Sequence, residues 1–157
     1  MPLTTPCTDP VGESPTLRPT AGFRSLAVRR LLSRHGHLWS QMVSTEFTSV
    51  QFGVLLCLGH APEGLFQSEI GAQLHLDKAT VTELIRRMAR RGLVTVEKDP
   101  DDGRRRVVSL TDEGHRTLHE LHGPALEVDR RLLEPLDTAE QQDLDRLLGA
   151  ALQDPEH

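Results

Sequence analysis

The run Asp77-Lys78-Ala79-Thr80-Val81-Thr82-Glu83-Leu84-Ile85-Arg86 sets hydroxyls and cations behind a helix-starting acid. Asp77 is a good N-cap, and Val81, Leu84, Ile85 and Met88 fall at i, i+3, i+4 and i+7, so the spacing predicts a helix with one apolar stripe. Steps of 100° turn Ala79, Thr82, Glu83, Arg86 and Arg90 outward. Such a face suits a polyanionic duplex. Thr82 can meet base edges or a thymine methyl, and Arg86 can reach guanine O6 and N7 as a fork or take a phosphate. Lys78 lies near the helix start, where phosphate is favoured, and Thr80 is a weaker candidate. The bland alternative is a solvated helix face carrying ordinary charges.

Downstream, Asp99, Asp101 and Asp102 precede Arg104, Arg105 and Arg106. Bare carboxylates beside phosphate repel it, so an acid here needs another task. Asp102 can pair with Arg104 and hold its guanidinium extended for a minor groove, leaving Arg105 for a phosphate. Otherwise Asp102 and Arg104 form a solvated surface pair worth ~0 to 1 kcal/mol. Arg106 shares strand parity with Val108 and Leu110, which leaves its role open.

These groups need elements to hold them. Residues 1–20 carry Pro2, Pro6, Pro10, Pro15 and Pro19 among Thr, Ser and Gly and read as a flexible leader. From Phe23 to about Met42, Val28, Leu31, Leu38, Trp39 and Met42 recur at helical spacing, giving an amphipathic first helix. Thr48 with Gln51 forms a capping box, and Phe47 with Phe52 a hydrophobic staple, so a second helix starts there and runs to about Gly59. After the Pro62-Glu63-Gly64 turn, Gln67 to Leu74 is a short third helix, His75 and Leu76 turn, and the Asp77 helix is the fourth, closed by Gly92. Leu93 to Lys98 and Arg104 to Leu110 read as a hairpin around the Pro/Gly loop. Thr111, with Asp112 and Glu113, opens a fifth helix; Pro135 separates it from a sixth, capped by Thr138 with Gln141 and carrying Leu144, Leu147, Leu148 and Leu152. The chain is therefore expected to be mainly α with a small β-hairpin.

Composition narrows the function. At 157 residues the length suits one domain, and 3% aromatic residues disfavour an aromatic-cored β-sandwich. Net charge is −5, yet residues 78–106 hold nine basic and five acidic side chains, whereas 107–157 hold four and twelve. A local +4 surface for polyanions is compatible with an acidic whole. Cys7 and Cys57 offer no disulfide framework, the start lacks an apolar signal segment, and Val54 to Leu58 is too short to span a bilayer, so a cytoplasmic, nucleoid-associated protein without membrane contact is expected. No Gly-rich phosphate loop, carboxylate pair or nucleophile-base arrangement suggests an enzyme, and no cofactor is expected. A helix, turn, second helix and basic hairpin in sequence point to double-stranded DNA. A protein-binding module using the same basic face on an acidic partner is the contrasting reading.

At this point the chain resembles the MarR-type winged helix-turn-helix regulators. The resemblance rests on Asp77 to Thr82, Arg91-Gly92-Leu93-Val94, Asp99 to Arg105 and Leu110-Thr111-Asp112-Glu113-Gly114, with Leu136 to Glu140 similar to the entry into the family's last helix. It covers roughly residues 24–152. It implies one domain over 21–152, with a winged lobe at about 48–111, dimerisation helices at 21–47 and 112–152, and a tail at 153–157. It also implies a homodimer through the first and last helices, a wing in the minor groove, a palindromic operator and a repressor's role. Two departures stand out: Phe66 where a Ser or Thr cap is usual, and Gly123-Pro124 interrupting the fifth helix.

The family commonly responds to a small molecule between its dimerisation helices and DNA-binding lobe. On helix one, His35 shares a stripe with Leu31, Leu38, Trp39 and Met42, where a buried imidazole needs a partner. Arg29, six residues earlier, is off that stripe. The run Arg29 to Trp39 nevertheless resembles first helices of the aromatic-acid-sensing branch, including protocatechuate-responsive repressors, which implies that Arg29 and His35 hold an aromatic carboxylate or phenolic effector. Arg supplies a fork for a carboxylate, with Arg34 a substitute for Arg29, and Trp39 a flat wall for a ring. In the alternative, His35 is a satisfied interface histidine and Arg29 a surface charge. His115, His119 and His122 at i, i+4 and i+7 raise a zinc-responsive alternative, but two imidazoles fall short of the usual three or four ligands and no metal site is assigned. Cys57, beside Val50, Val54 and Leu58, reads as a small buried group rather than a redox switch.

Overall fold

A computed structural model describes residues 22–99, 102 and 105–153. The expected leader, most of the expected tail and Arg104 lie outside these residues. The elements are α1 (Arg24–Met42), α2 (Ser49–Gly59), β1 (Leu65–Phe66), α3 (Gln67–Leu74), α4 (Lys78–Arg90), β2 (Val94–Lys98), β3 (Arg106–Leu110), α5 (Asp112–Leu133) and α6 (Thr138–Ala151). The chain divides into two compact units within α1, one ending at Ser33 and the other beginning at Arg34. In the first, Val28, Leu31 and Leu32 are exposed.

The second unit is built on the apolar stripe of α4. Val81, Ile85 and Met88 are buried in one cluster with Val54, Leu55 and Leu58 of α2, Ile70 of α3, Leu93, Val94 of β2, Val108 of β3 and Leu121 of α5. Full burial of such side chains stabilises by about 1.5 to 3 kcal/mol each. The expected box at α2 is present: Thr48 Oγ1 accepts from the Gln51 N–H and Gln51 Oε1 from the Thr48 N–H. The α3–α4 turn is left-handed at His75 (φ 50°), a conformation that costs a residue with a Cβ.

The wing is larger than a hairpin. β2 and β3 pair antiparallel from Val94↔Leu110 to Lys98↔Arg106, and β1 adds to the far edge of β3 through Leu65↔Val108 and Phe66↔Val107. Two residues show no alternation, so β1 is invisible in the sequence. Gly64 (φ 79°) admits it, because a Cβ there would lie 2.7 Å from the Val108 carbonyl oxygen.

Two expectations need correction. The α6 cap is Asp137 with Glu140, one residue earlier than Thr138 with Gln141: Asp137 Oδ1 accepts from the Glu140 N–H and Glu140 Oε2 from the Asp137 N–H. Gly123-Pro124 does not end the fifth helix, which continues through Pro124 to Leu133. Leu121, Ala125 and Val128 are buried on its other side, while Pro124 and Glu120, the residue whose carbonyl loses its i+4 donor, are both exposed. Among the described residues no helix is long and apolar enough to cross a membrane.

The wing is tied to α5 at Gly114. Thr111 donates to the Leu93 carbonyl through its N–H and to the Gly92 carbonyl through Oγ1, and a Cβ on Gly114 would fall 2.1 Å from the Leu93 oxygen. Gly114→Ala is therefore expected to destabilise the chain by about 1 to 3 kcal/mol, the usual cost of overpacking. Urea unfolding checks this, and a midpoint equal to wild type would contradict it.

Candidate nucleic-acid interface and effector cleft

On α4, Lys78, Thr80, Thr82 and Arg86 are all exposed. Thr80 belongs to the helix cap: its N–H donates to Asp77 Oδ1 (2.9 Å) and its hydroxyl to Asp77 Oδ2 (2.7 Å). These hydrogen bonds hold the Asp77 carboxyl below its usual range. Thr82 Oγ1 donates to the Lys78 carbonyl at 2.8 Å and lies 3.3 Å from Gln67 Oε1. Arg86 donates through Nε (2.9 Å) and Nη2 to Glu83, whose other oxygen accepts from Arg87 Nε at 3.0 Å. The Arg86 hydrogen bonds, ahead of the charges of Arg86 and Arg87, lower the Glu83 carboxyl. Arg86 is thus held over the outer face by a neighbour one turn back.

At the wing, the Arg105 N–H donates to the Asp102 carbonyl (2.8 Å) and the Asp99 N–H to the Arg105 carbonyl (3.1 Å), closing the loop between the strands. The Arg105 guanidinium stacks 3.4 Å above the centre of the Phe66 ring. Phe66 precedes α3 without a capping oxygen, and Glu69 Oε2 instead accepts its N–H at 2.7 Å. Lys78, Arg105 and Arg106 come together with Phe66, Gln67 and Ser68 around a recess of about 270 Å³. Arg106, whose role strand parity left open, is exposed there.

A second recess, of about 220 Å³, is walled by His35 and Trp39 of α1, Ser49, Phe52 and Leu56 of α2, and His122, Ala125, Leu126 and Asp129 of α5. His35 and Trp39 lie with ring centres 5.9 Å apart, Trp39 and Phe52 5.5 Å. Trp39 is buried and donates its indole N–H to the Phe47 carbonyl at 2.6 Å. Arg34 points elsewhere, donating through Nη2 to the Arg131 carbonyl at 3.2 Å. Arg29 belongs to the first unit, where it is exposed and its carbonyl accepts from Ser33 Oγ.

The α2 and α5 walls were missed in the sequence, although spacing held a signal. His122, Ala125, Leu126 and Asp129 recur at i, i+3, i+4 and i+7, a mixed face that the His115/His119/His122 stripe obscured. His115 and His119 are exposed, and among the described residues no group of three His, Cys, Asp or Glu side chains is placed to hold a metal ion. Cys57 is half-buried on α2, and burial pushes its thiol up.

The MarR family profile matches residues 46–105. Transcriptional regulator HosA from Escherichia coli O111:H- is 34% identical over 115 residues, which cover 73% of this chain and 84% of that protein. Among solved structures, the PcaV transcriptional regulator from Streptomyces coelicolor, in complex with its natural ligand, is 39% identical with a TM-score of 0.79, covering 85% of this chain and 96% of that one. Bordetella bronchiseptica BpsR, whose DNA binding is regulated by 6-hydroxynicotinic acid, is 27% identical with a TM-score of 0.74, over 83% of this chain and 98% of that one.

Paired carboxylates on the helix surfaces add a small acid response, small because both partners are solvated. Hydrogen bonds from Arg130, with its charge and Arg131's hydrogen bond and charge adding, hold Glu127 of α5 down to about 2 from an ordinary 4.5. Because the folded value is depressed, the unfolded chain binds more protons between the two values. The Glu127 contribution to stability should be complete above 4.5 and disappear as pH falls through about 2. Thermal melts across that window should show the loss, with Glu127→Gln flattening the curve. A variant with an unchanged slope would contradict it.

Proposed function

Since the chain belongs to the MarR family, we propose that it is a dimeric transcription regulator, a repressor, that binds a palindromic duplex operator and responds to a small aromatic acid or phenolic compound. The observation that carries this reading is α4, whose Val81, Ile85 and Met88 are locked inside while Lys78, Thr82 and Arg86 face outward. A helix of this diameter fits a major groove, where Thr82 and Arg86 read base edges. Lys78 and Arg105 take backbone phosphates, and Asp102 braces the wing arginines beside the minor groove. Arg104, outside the described residues, enters that groove in this reading.

Dimerisation is supported by α6, which has no buried residue and leaves Leu147, Leu148 and Leu152 exposed. Val28, Leu31 and Leu32 are likewise exposed in the first unit. A second copy supplies the partner surface, and its symmetry makes the operator palindromic, with recognition helices about 34 to 36 Å apart. The effector reading rests on the His35/Trp39 recess: a flat wall, an imidazole and an apolar lining suit a ring with a polar substituent. BpsR's response to 6-hydroxynicotinic acid supports the compound class, and the assignments of Arg29, and of Arg34 as its substitute, rest on sequence resemblance alone. The effector acts by favouring an arrangement in which the two helices no longer match successive grooves.

Selection from a random duplex library near physiological salt tests the reading. Wild type should enrich one palindrome, and a Thr82/Arg86/Arg104 triple-alanine chain none; equal enrichment by both would overturn it. On the recovered site, Thr82→Ala or Arg86→Ala should cost about 1 to 3 kcal/mol and relax preference at one position. Equal losses on every sequence would refute base reading. Calorimetry with 6-hydroxynicotinic acid should show binding that His35→Ala weakens about tenfold, in line with a lost charge-assisted hydrogen bond. Identical isotherms would remove His35 from the site.

A further inference from the structure

Arg91, the C-cap of α4, does not behave like the other cations of that helix end. Arg87 and Arg90 are exposed in the last turn, where any cation complements the helix dipole. Arg91 instead turns back onto the connection between α1 and α2. Its guanidinium lies 4.0 Å above the centre of the Phe47 ring, Nη1 donates to the Glu46 carbonyl at 3.2 Å, and Nη2 stands 3.8 Å from the Glu46 carboxylate. Three interactions of different kinds thus fasten one end of α4 to one short segment.

The same segment is fastened to the effector recess. The Phe47 carbonyl accepts the Trp39 indole N–H at 2.6 Å, and the Phe47 N–H donates to Ser44 Oγ at 2.9 Å. Trp39 walls the recess and stacks beside His35 and Phe52. A continuous series of direct contacts therefore runs from the recess through Trp39, Phe47 and Arg91 to the end of α4. None of its members faces the groove side of α4.

We infer that Arg91 is a positioning residue for the recognition helix, setting the seat of the α4 C-terminal end on Phe47 and Glu46 and coupling that seat to Trp39. This deepens the DNA-binding reading and rests on it. The planar guanidinium suits the task because it can stack on a ring and donate in its own plane together, which an ammonium cannot. A shift of the Phe47 backbone moves both the floor under Arg91 and the acceptor of Trp39. By reciprocity, whatever displaces Trp39 changes how Thr82 and Arg86 are presented, and a bound duplex changes the surroundings of Trp39.

The test uses the full-length chain, the duplex recovered by selection, and the emission of Trp39, the only tryptophan in the sequence. Arg91→Gln should bind that duplex about five- to tenfold more weakly, as expected for losing a cation–π contact and a tertiary hydrogen bond. The slope of log affinity against log salt should stay as in wild type, and Trp39 emission should shift in the DNA-free protein. Phe47→Leu, which removes the ring but leaves the Glu46 carbonyl, should lose part of that affinity, and the double variant should lose less than the two single losses combined, because both single variants remove the stacking contact. If Arg91→Gln fails to fold, Arg91→Lys decides: it keeps the charge but not the planar fork and should lose about threefold with the same slope. A slope reduced by about 1 would make Arg91 a phosphate contact and overturn the inference. So would unchanged affinity or unchanged Trp39 emission. A wild-type chain that selects no duplex overturns the DNA reading itself, whereas wild-type binding matched by Arg91→Gln overturns Arg91 alone.

Discussion

Everything presented by α4 depends on its rotation about its own axis, and burial fixes that rotation. Val81, Ile85 and Met88 are each at most 1% exposed. A slip of one residue would turn the helix by 100°, bring Thr82 and Arg86 toward Leu55 and Ile70, and bury charge without a partner. The apolar stripe and the polar face are thus one constraint seen from two sides. Asp77 adds the axial stop, since its carboxylate accepts from Thr80 only if the helix begins at Lys78.

Carboxylates beside cations on these surfaces act as rotamer supports. Glu83 with Arg86 and Arg87 on α4, and Glu127 with Arg130 and Arg131 on α5, repeat one arrangement: an acid followed by arginines three and four residues on. Solvated pairs of this sort contribute little to stability. Their effect is to narrow where a long side chain points before anything binds. On Arg86 the pair takes the Nε and Nη2 edge of the guanidinium and leaves the Nη1 donors outside it.

How much of this was legible in the sequence follows from the range of the interactions. The Thr48–Gln51 box, the Asp77 cap and the α4 stripe involve residues within two turns, and local pattern suffices for them. The α6 entry shows where local pattern is ambiguous, since Asp137/Glu140 and Thr138/Gln141 overlap by one residue and both fit the capping rule. The pairs Phe47–Arg91 and Phe66–Arg105 bring together residues some forty positions apart, and no spacing rule reaches across a fold. The recess was half visible for the same reason. His35 and Trp39 share one helix, whereas Asp129 meets them only because α5 returns along α2. Pro124 misled in the other direction: proline removes one intrahelical hydrogen bond, and here both it and Glu120, which loses the donor, lie on the exposed side of a helix that continues through them.

A 14-residue helix such as α6 is marginal alone in water, and its capping box and the Arg146–Asp143 pair supply only local support. None of its side chains is fully buried within the chain, and Leu147, Leu148 and Leu152 stand exposed, so a surface packed against them would add to its order. Association by a second copy would make abundance a structural variable. A sparse chain would expose a fraying C-terminal helix to proteolysis, while a plentiful one would be shielded by its own kind, so that cellular lifetime would rise with copy number.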